Sequence, residues 1–594
     1  MEDGFRGSDV YNMPMAAPAP LLRKSDSIAL VSLFGLITFV VQYVLRGLDD
    51  NRLTSWQWAF QRADPVHLFL VLAAGIAGSV LLVSAAARLR PSPVILFLIC
   101  FLAGSAFWPE PEVIVDASRY FTQAKHLELY GVRRFIEAWG KDIGVWTDLP
   151  LVPFIYGLAF RIFGETRFCI QMCTTFFFSA GAVLTALIGK ELWDEETGFI
   201  GGMLLLGMPY LFTQAPLMLV DVPAMFFLLA AVYFFIRALR SGGWMTVAAA
   251  ISILTAFYAK YSNWLMLSIL AVVLLVELAR VRQSPEDRLR CIRTFIAVAV
   301  LSGVMIGSVF LYKLDVFSGQ LRFLMEYQKP GLRRWGESFL STFFFQIHPL
   351  VTAAAVFSLY VAARKRDVSY LIVLWLVLVV FVLQIRRIRY VIMVLPMVGL
   401  MAAYGLAGLK ESAVRRFYVL CAVISSLVVA LGAFLPFLEA MSAVNLKDAG
   451  AYLDTMRERT VKVYVLPPED PALNPAVSVP LLDLFTRKRI VYSYDPRDFQ
   501  QPLEKIEKSP LRFTWEYRNP DYYQDNAAEN DAVVVVVSES GGDPLPQNIS
   551  RIIAGYSLVK VCDAHEDVFQ YRTSVRIYRK KGAPGLERLF PIVK

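Results

Sequence analysis

Two things are scarce in this chain of 594 residues: charge, at 18% Asp, Glu, Lys and Arg, and histidine, of which there are four. Soluble domains carry nearer a quarter of charged residues, so a water-facing surface over the whole length is excluded. His67, His126, His348 and His565 are scattered, and no site built on converging imidazoles is expected. Cysteine is sparse as well. Five of the six, Cys100, Cys169, Cys173, Cys291 and Cys421, lie in or beside apolar runs and only Cys562 falls in a hydrophilic stretch, so no disulfide framework is implied. Cys169 and Cys173 share one helix face, yet without nearby histidines they read as small buried apolar side chains. No G-x-G-x-x-G or P-loop pattern follows a strand, and Gly541-Gly542 is the one glycine pair after residue 440, which argues against a nucleotide site. The first residues lack an apolar core with a small-residue cleavage site, so no cleavable signal peptide is expected. Arg23-Lys24 before the first apolar run suits a cytoplasmic N-terminus.

What is abundant is apolar surface: 56% hydrophobic residues, 13% aromatic, and a mean hydropathy of +0.51. The fold class that follows is mainly α, a polytopic membrane protein. The net charge of +9 does not point to nucleic acid, because Lys and Arg gather in short loops beside the apolar runs, where they set membrane orientation. Runs of bilayer-crossing character fall at 27–45, 67–87, 92–108, 168–188, 198–212, 222–238, 244–259, 264–278, 295–311, 344–362, 368–383, 391–406 and 418–437, about 13 transmembrane helices. The stretch 149–163 is apolar but short and holds Pro150, Pro153 and Arg161. Treating it as a juxtamembrane helix puts the later basic loops inside, as the positive-inside rule prefers.

After residue 440 charge and proline rise and the apolar runs shorten. Residues 461–465, 490–494, 532–537, 557–561 and 575–578 read as strands, with helices at 446–458 and 477–487. The expected domains are a cytoplasmic tail (1–26), two extra N-terminal spans (27–91), a transmembrane catalytic domain (92–438) with an outer loop at 109–168, and a C-terminal soluble α/β domain (439–594) on the extracytoplasmic side.

Residues 109–168 form the longest polar interruption of the apolar pattern and bring acids, bases and aromatics together. Asp116 follows Val113-Ile114-Val115 and precedes Arg119 and Tyr120; Asp148 stands in Asp148-Leu149-Pro150 before a segment ending Phe163-Gly164-Glu165. On the chosen topology Asp116, Asp148, Asp221, Lys260, Arg386, Arg387 and Arg389 all lie at the outer face. A carboxylate beside an apolar run would have its basicity raised by desolvation, which suits a general base. Asp116 would serve equally as a helix N-cap, and Asp221 before Val222-Pro223 as a helix start. Arginines at an interface suit a phosphate or an anionic lipid headgroup.

This order of motifs resembles the integral-membrane glycosyltransferases of the C superfamily, which use polyprenyl-phosphate sugars; the protein mannosyltransferases and the lipid A aminoarabinose transferase belong there. The resemblance covers roughly 92–406. It implies an essential acid in the first outer loop, at Asp116, although members often read Asp-Glu where this chain has Asp116-Ala117. It places Asp148 where the aminoarabinose transferases have Glu-Lys-Pro, Asp221 at an Asp-Pro helix start, and Lys260 at a span end. The segment from Arg386, Arg387 and Arg389 through Tyr390 to Pro396 looks like the family's Arg-Tyr-apolar-Pro stretch. The reaction implied is an inverting transfer with Asp116, Asp148 and Asp221 as catalytic acids. Arg119, Tyr120, Lys260, the three arginines and Tyr390 would bind substrate, with no cofactor and no metal. The partners implied are a polyprenyl-phosphate sugar donor, a lipid, glycan or protein acceptor, and membrane lipids, with no nucleic acid. The expected location is the cell inner or plasma membrane. A polytopic secondary transporter or an O-antigen ligase or polymerase are the other readings; Glu326 to Arg334 would help to cover the site.

Overall fold

The computed structural model describes residues 24–86, 91–328, 336–468, 473–493, 503–509, 511–524, 532–564, 568 and 572–582. In lipid every backbone polar group must be satisfied within its own segment, and the long apolar runs accordingly become helices. The first three are α1 (Lys24–Val44), α2 (Pro65–Ala86) and α3 (Pro93–Ser105). The polar interruption then supplies α4 (Ile114–Ala138), broken at Gly131, and α5 (Leu151–Phe163). The bundle continues with α6 (Arg167–Leu192), α7 (Glu195–Met203), α8 (Asp221–Ser241) and α9 (Trp244–Ala259). Counting across short turns, α10 (Tyr261–Arg280), α11 (Pro285–Tyr312), α12 (Leu314–Phe323) and α13 (Pro349–Lys365) follow. The last four helical segments of this part are α14 (Tyr370–Val382), α15 (Ile388–Ala407), α16 (Ser412–Leu438) and, beyond the bundle, α17 (Val444–Asp454).

A helix occupies every run that the sequence marks. Among the described residues, eight helices are long and apolar enough to cross a membrane: α1, α2, α6, α8, α10, α11, α15 and α16. Others fall short of the expected length. α3 and α14 have 13 residues each, about 20 Å against a ~30 Å core, and the run at 198–212 is split into α7, a 3-10 turn and the short helix Pro209–Phe212. α5 is likewise 13 residues and amphipathic, with Val152, Tyr156 and Phe160 buried on one side. Residues of α8 and α15 are mostly buried, whereas α11 presents Ile296, Val300, Val304 and Leu311 outward, as a lipid-facing helix does.

The C-terminal domain is a five-stranded sheet in the order β2-β1-β3-β5-β4. Its strands are β1 (Thr460–Val465), β2 (Arg489–Val491), β3 (Val533–Ser538), β4 (Tyr556–Cys562) and β5 (Ser574–Lys580), with α18 (Ser478–Leu484) between β1 and β2. β1 pairs in parallel with β2 and β3, and β5 runs antiparallel to β3 and β4. The unbroken valine run of β3 is buried throughout, as a central strand covered on both faces requires. The expected strand at 490–494 ends earlier, at Val491, and residue 494 lies outside the described residues. Of the expected covering segment, Glu326 falls in a π-helical turn, and 329–334 lie outside the described residues.

Candidate active site

A cavity of about 1600 Å³ lies where the loops at one end of the bundle meet the C-terminal domain. Its wall includes Asp116, Arg119, Tyr120, Asp148, Lys260, Arg387, Arg389 and Tyr390, which the sequence scatters over more than two hundred positions. Asp116 sits in the first turn of α4, whose N-cap is Val113; the carboxylate is therefore not used as a cap. One of its oxygens pairs with Arg389 Nη1 and the other lies 3.5 Å from Arg119 Nη2. Asp221, the first residue of α8, is fully buried; its Oδ1 pairs with Lys260 and its Oδ2 accepts from Arg389 Nε at 2.9 Å. Arg389 is thus shared between Asp116 and Asp221, and a line of alternating charge runs from the loop helix into the bundle.

Arg119 stands one turn beyond Asp116 on α4, which lets one guanidinium reach both Asp116 and Asp148. Its Nη2 lies 2.5 Å from Asp148 Oδ1, and Gln123 Nε2 donates to Asp148 Oδ2 at 3.0 Å. The loop holding Asp148 is fixed from behind: Gln320 donates to the Asp148 carbonyl at 2.9 Å, and Tyr261 OH donates to Gln320 at 2.7 Å. The guanidinium of Arg119 also lies 5.4 Å from the ring centres of both Trp146 and Phe513, so the C-terminal domain touches this cluster directly. Lys260 Nζ lies 4.9 Å from the Tyr390 ring and Arg387 5.5 Å from the same ring. Arg386 is elsewhere. It is exposed, bonds Gln384 Oε1 through Nε and Nη2, and does not line the cavity.

The electrostatics correct one expectation. Burial would raise the Asp116 carboxyl, but Arg389 and then Arg119 overcome it and hold the group well below the usual carboxylate range. The sequence shows the apolar run before Asp116 and cannot show an arginine 273 residues away. Asp148 responds the other way: burial pushes it up to about 6, with Arg119 opposing and Asp116 adding. Burial also pushes Glu337 up to about 7, and its carboxylate accepts the backbone N–H of Ile388 at 3.0 Å, which anchors the start of α15 below Arg389.

Several partners of this site were not legible beforehand. Gln123, Gln320, Trp146 and Phe513 carry no motif. The two N-terminal spans, without an assigned role in the sequence, present the turn between α1 and α2 to the cavity: Asp49, Asn51 and Trp58 all line it. Asp49 accepts from Ser341 Oγ at 2.6 Å, Gln346 Nε2 at 2.9 Å and the Trp56 N–H at 2.8 Å, so the turn is clamped to the segment that enters α13. Among the described residues, no group of three or more His, Cys, Asp and Glu is placed to hold a metal ion.

Residues 148–312 match the family described as dolichyl-phosphate-mannose-protein mannosyltransferase. The match agrees with the resemblance read from the motifs; it spans Asp148, Asp221 and Lys260 and leaves Asp116 and the arginines outside. A comparison with curated protein sequences yields no match. Among solved structures, ArnT from Cupriavidus metallidurans bound to undecaprenyl phosphate is 12% identical over 82% of this chain and 97% of that chain, with a TM-score of 0.49. The oligosaccharyltransferase AglB from Archaeoglobus fulgidus, in complex with an inhibitory peptide and a dolichol-phosphate, is 12% identical over 75% of this chain and 69% of that chain, with a TM-score of 0.43.

Proposed function

We propose that this integral, multi-pass membrane protein is a glycosyltransferase that moves a sugar from a polyprenyl-phosphate donor to an acceptor hydroxyl. The transfer inverts the anomeric carbon and takes place at the extracytoplasmic face of the inner or plasma membrane, where the C-terminal domain lies. The observation that carries the reading is the shared arginine: Arg389 joins the Asp116 carboxylate to the Asp221–Lys260 pair in the wall of one large cavity. The mannosyltransferase-family match over 148–312 supports the same class of chemistry.

In this reading the donor phosphate is drawn to Lys260, Arg387 and Arg389. Fixed cations in a water-poor site stabilise charge that develops on a leaving phosphate without having to reorganise. Engagement of Arg389 by the phosphate loosens its hold on Asp116, and the carboxylate regains basicity when substrate is in place. The acceptor hydroxyl then gives its proton to Asp116 while its oxygen attacks the anomeric carbon. The bond from that carbon to the phosphate oxygen breaks, and the polyprenyl phosphate leaves with the electron pair against the cations. Asp148 acts through Arg119, which it holds beside Asp116; Asp221 holds Lys260 and Arg389 side by side as a positioning residue. Tyr120, kept a neutral phenol by burial, is a hydroxyl donor for the sugar.

The test is transfer of radiolabelled sugar from a panel of polyprenyl-phosphate sugars in proteoliposomes. Asp116→Asn is expected to lose roughly 10²- to 10⁴-fold in kcat while donor binding persists. Equal turnover in both proteins would move the base away from Asp116, and no donor consumed by the native protein would reject the reaction class.

A further inference from the structure

Glu110 and Gln214 come from two separate loops, one between α3 and α4 and one before α8, and neither carries a role in the reading above. Both line the cavity, at 3% and 2% exposure. Among the described residues, the buried Glu110 Oε2 and Gln214 Oε1 have no hydrogen-bond partner. Buried polar atoms are nearly always paired, so two orphans on residues that line one cavity point to a missing polar partner there. Among the described residues, the donors named next are committed elsewhere. Arg167, beside Glu110, places Nε 3.1 Å from Glu112 Oε1, Nη1 2.7 Å from the Trp108 carbonyl and Nη2 on the Glu110 carbonyl, none of them on the Glu110 carboxyl. Gln214 turns its Nε2 to the carbonyl and hydroxyl of Thr213, at 3.2 and 3.3 Å.

The two groups have complementary chemistry. Burial pushes the Glu110 carboxyl well above the usual range, with Arg167 opposing and Glu112 adding, which favours its protonated, hydrogen-donating form. A neutral carboxyl donates one hydrogen bond and accepts others, and an amide oxygen accepts. Hydroxyl groups, which do both, satisfy the pair; a phosphate does not, since it offers no donor to Gln214. Glu110 also lies close to the acid of the proposed reaction. Asp116 stands six positions further along the chain, four loop steps and two helical ones, a path of no more than ~17 Å.

We infer that Glu110 and Gln214 form a sugar-binding subsite, which grips hydroxyl groups of the donor's glycosyl unit apart from the cations that take its phosphate. The inference rests on the glycosyltransferase reading and names where the sugar of that reaction is recognised.

The experiment measures equilibrium binding to the full-length protein in lipid nanodiscs. The probes are undecaprenyl phosphate and its mannosyl, glucosyl, galactosyl and arabinosyl esters; the variants are Glu110→Leu, Glu110→Gln and Gln214→Leu, with melting curves to check folding. Glu110→Leu and Gln214→Leu are expected to weaken the best sugar-bearing lipid roughly tenfold each and the bare carrier phosphate less than about twofold. Glu110→Gln, which keeps a neutral donor, should retain most of the affinity. Should Glu110→Leu fail to fold, Gln214→Leu carries the comparison. Variants that leave the sugar-bearing lipids unaffected, or that weaken both probes alike, overturn the subsite while the reaction reading stands. Native protein that binds neither probe overturns both.

Discussion

Asp116 and Asp148 are bridged by one guanidinium, that of Arg119, yet their surroundings drive them apart. Asp116 has a second arginine and stays ionised through the working range; Asp148 is held up near 6 by burial. As pH falls through about 6, Asp148 takes a proton, Arg119 loses one of its two carboxylate partners, and transfer should fall along an acid limb with an apparent pKa near 6. The sign for stability is opposite. A carboxyl whose folded pKa lies above its unfolded value of 3.8 binds its proton more tightly in the folded protein, so the same fall in pH does not destabilise the fold through this group. Rate profiles of kcat/KM beside melting curves from pH 4.5 to 7.5 check both statements, and Asp148→Asn should lack the limb. The motif residues Asp116, Asp148, Asp221, Lys260 and Arg389 were visible as charges at the ends of apolar runs, whereas Glu110 and Gln214 were not, since nothing in a local window reports a missing hydrogen-bond partner.

Helices α6 and α7 meet through glycines. A Cβ at Gly198 would lie 2.2 Å from the Ala186 carbonyl oxygen, and one at Gly189 2.5 Å from the Gly198 Cα. Close approach of this kind lets helices associate in lipid, where apolar surface alone gives no drive. Gly198→Val should therefore cost about 3 kcal/mol or more, through overpacking against backbone that cannot yield. Gly78→Ala, where the new methyl meets nothing within 4 Å among the described residues, should be neutral or slightly stabilising. Thermal melts of the purified variants distinguish the two. The hydropathy pattern announced these helices but not which glycine is a contact.

The bundle and the C-terminal sheet domain are held together by buried charge. Lys125 on α4 lies 3.0 Å from Glu165 and 2.6 Å from Asp483 of α18, and Tyr523 OH donates to the same Asp483 oxygen at 2.7 Å. Lys447 of α17 donates to the Pro109 carbonyl and Tyr522 OH to that of Thr122. Lys125→Met removes the cation from a buried carboxylate, a loss of about 3 kcal/mol. The domain should then become cleavable by protease at lower temperature. Transfer should drop severalfold as well, because Phe513 is carried by that domain onto Arg119.

Most of the helices and the change to a strand-bearing domain after residue 440 are readable in the sequence alone, whereas α12 carries no such mark and the run at 198–212 is split. Hydropathy and its period are sums over neighbouring residues, so a window of about 20 residues contains the information needed. Only the tertiary structure decided which charges meet. It brought Arg389 to Asp116 across 273 residues, turned Arg386 away to Gln384, lowered the pKa of the acid that desolvation alone would have raised, and seated the turn of the first two spans in the cavity wall. Coulomb interactions and burial depend on distances between residues far apart in the chain, and those distances exist only after the helices have packed.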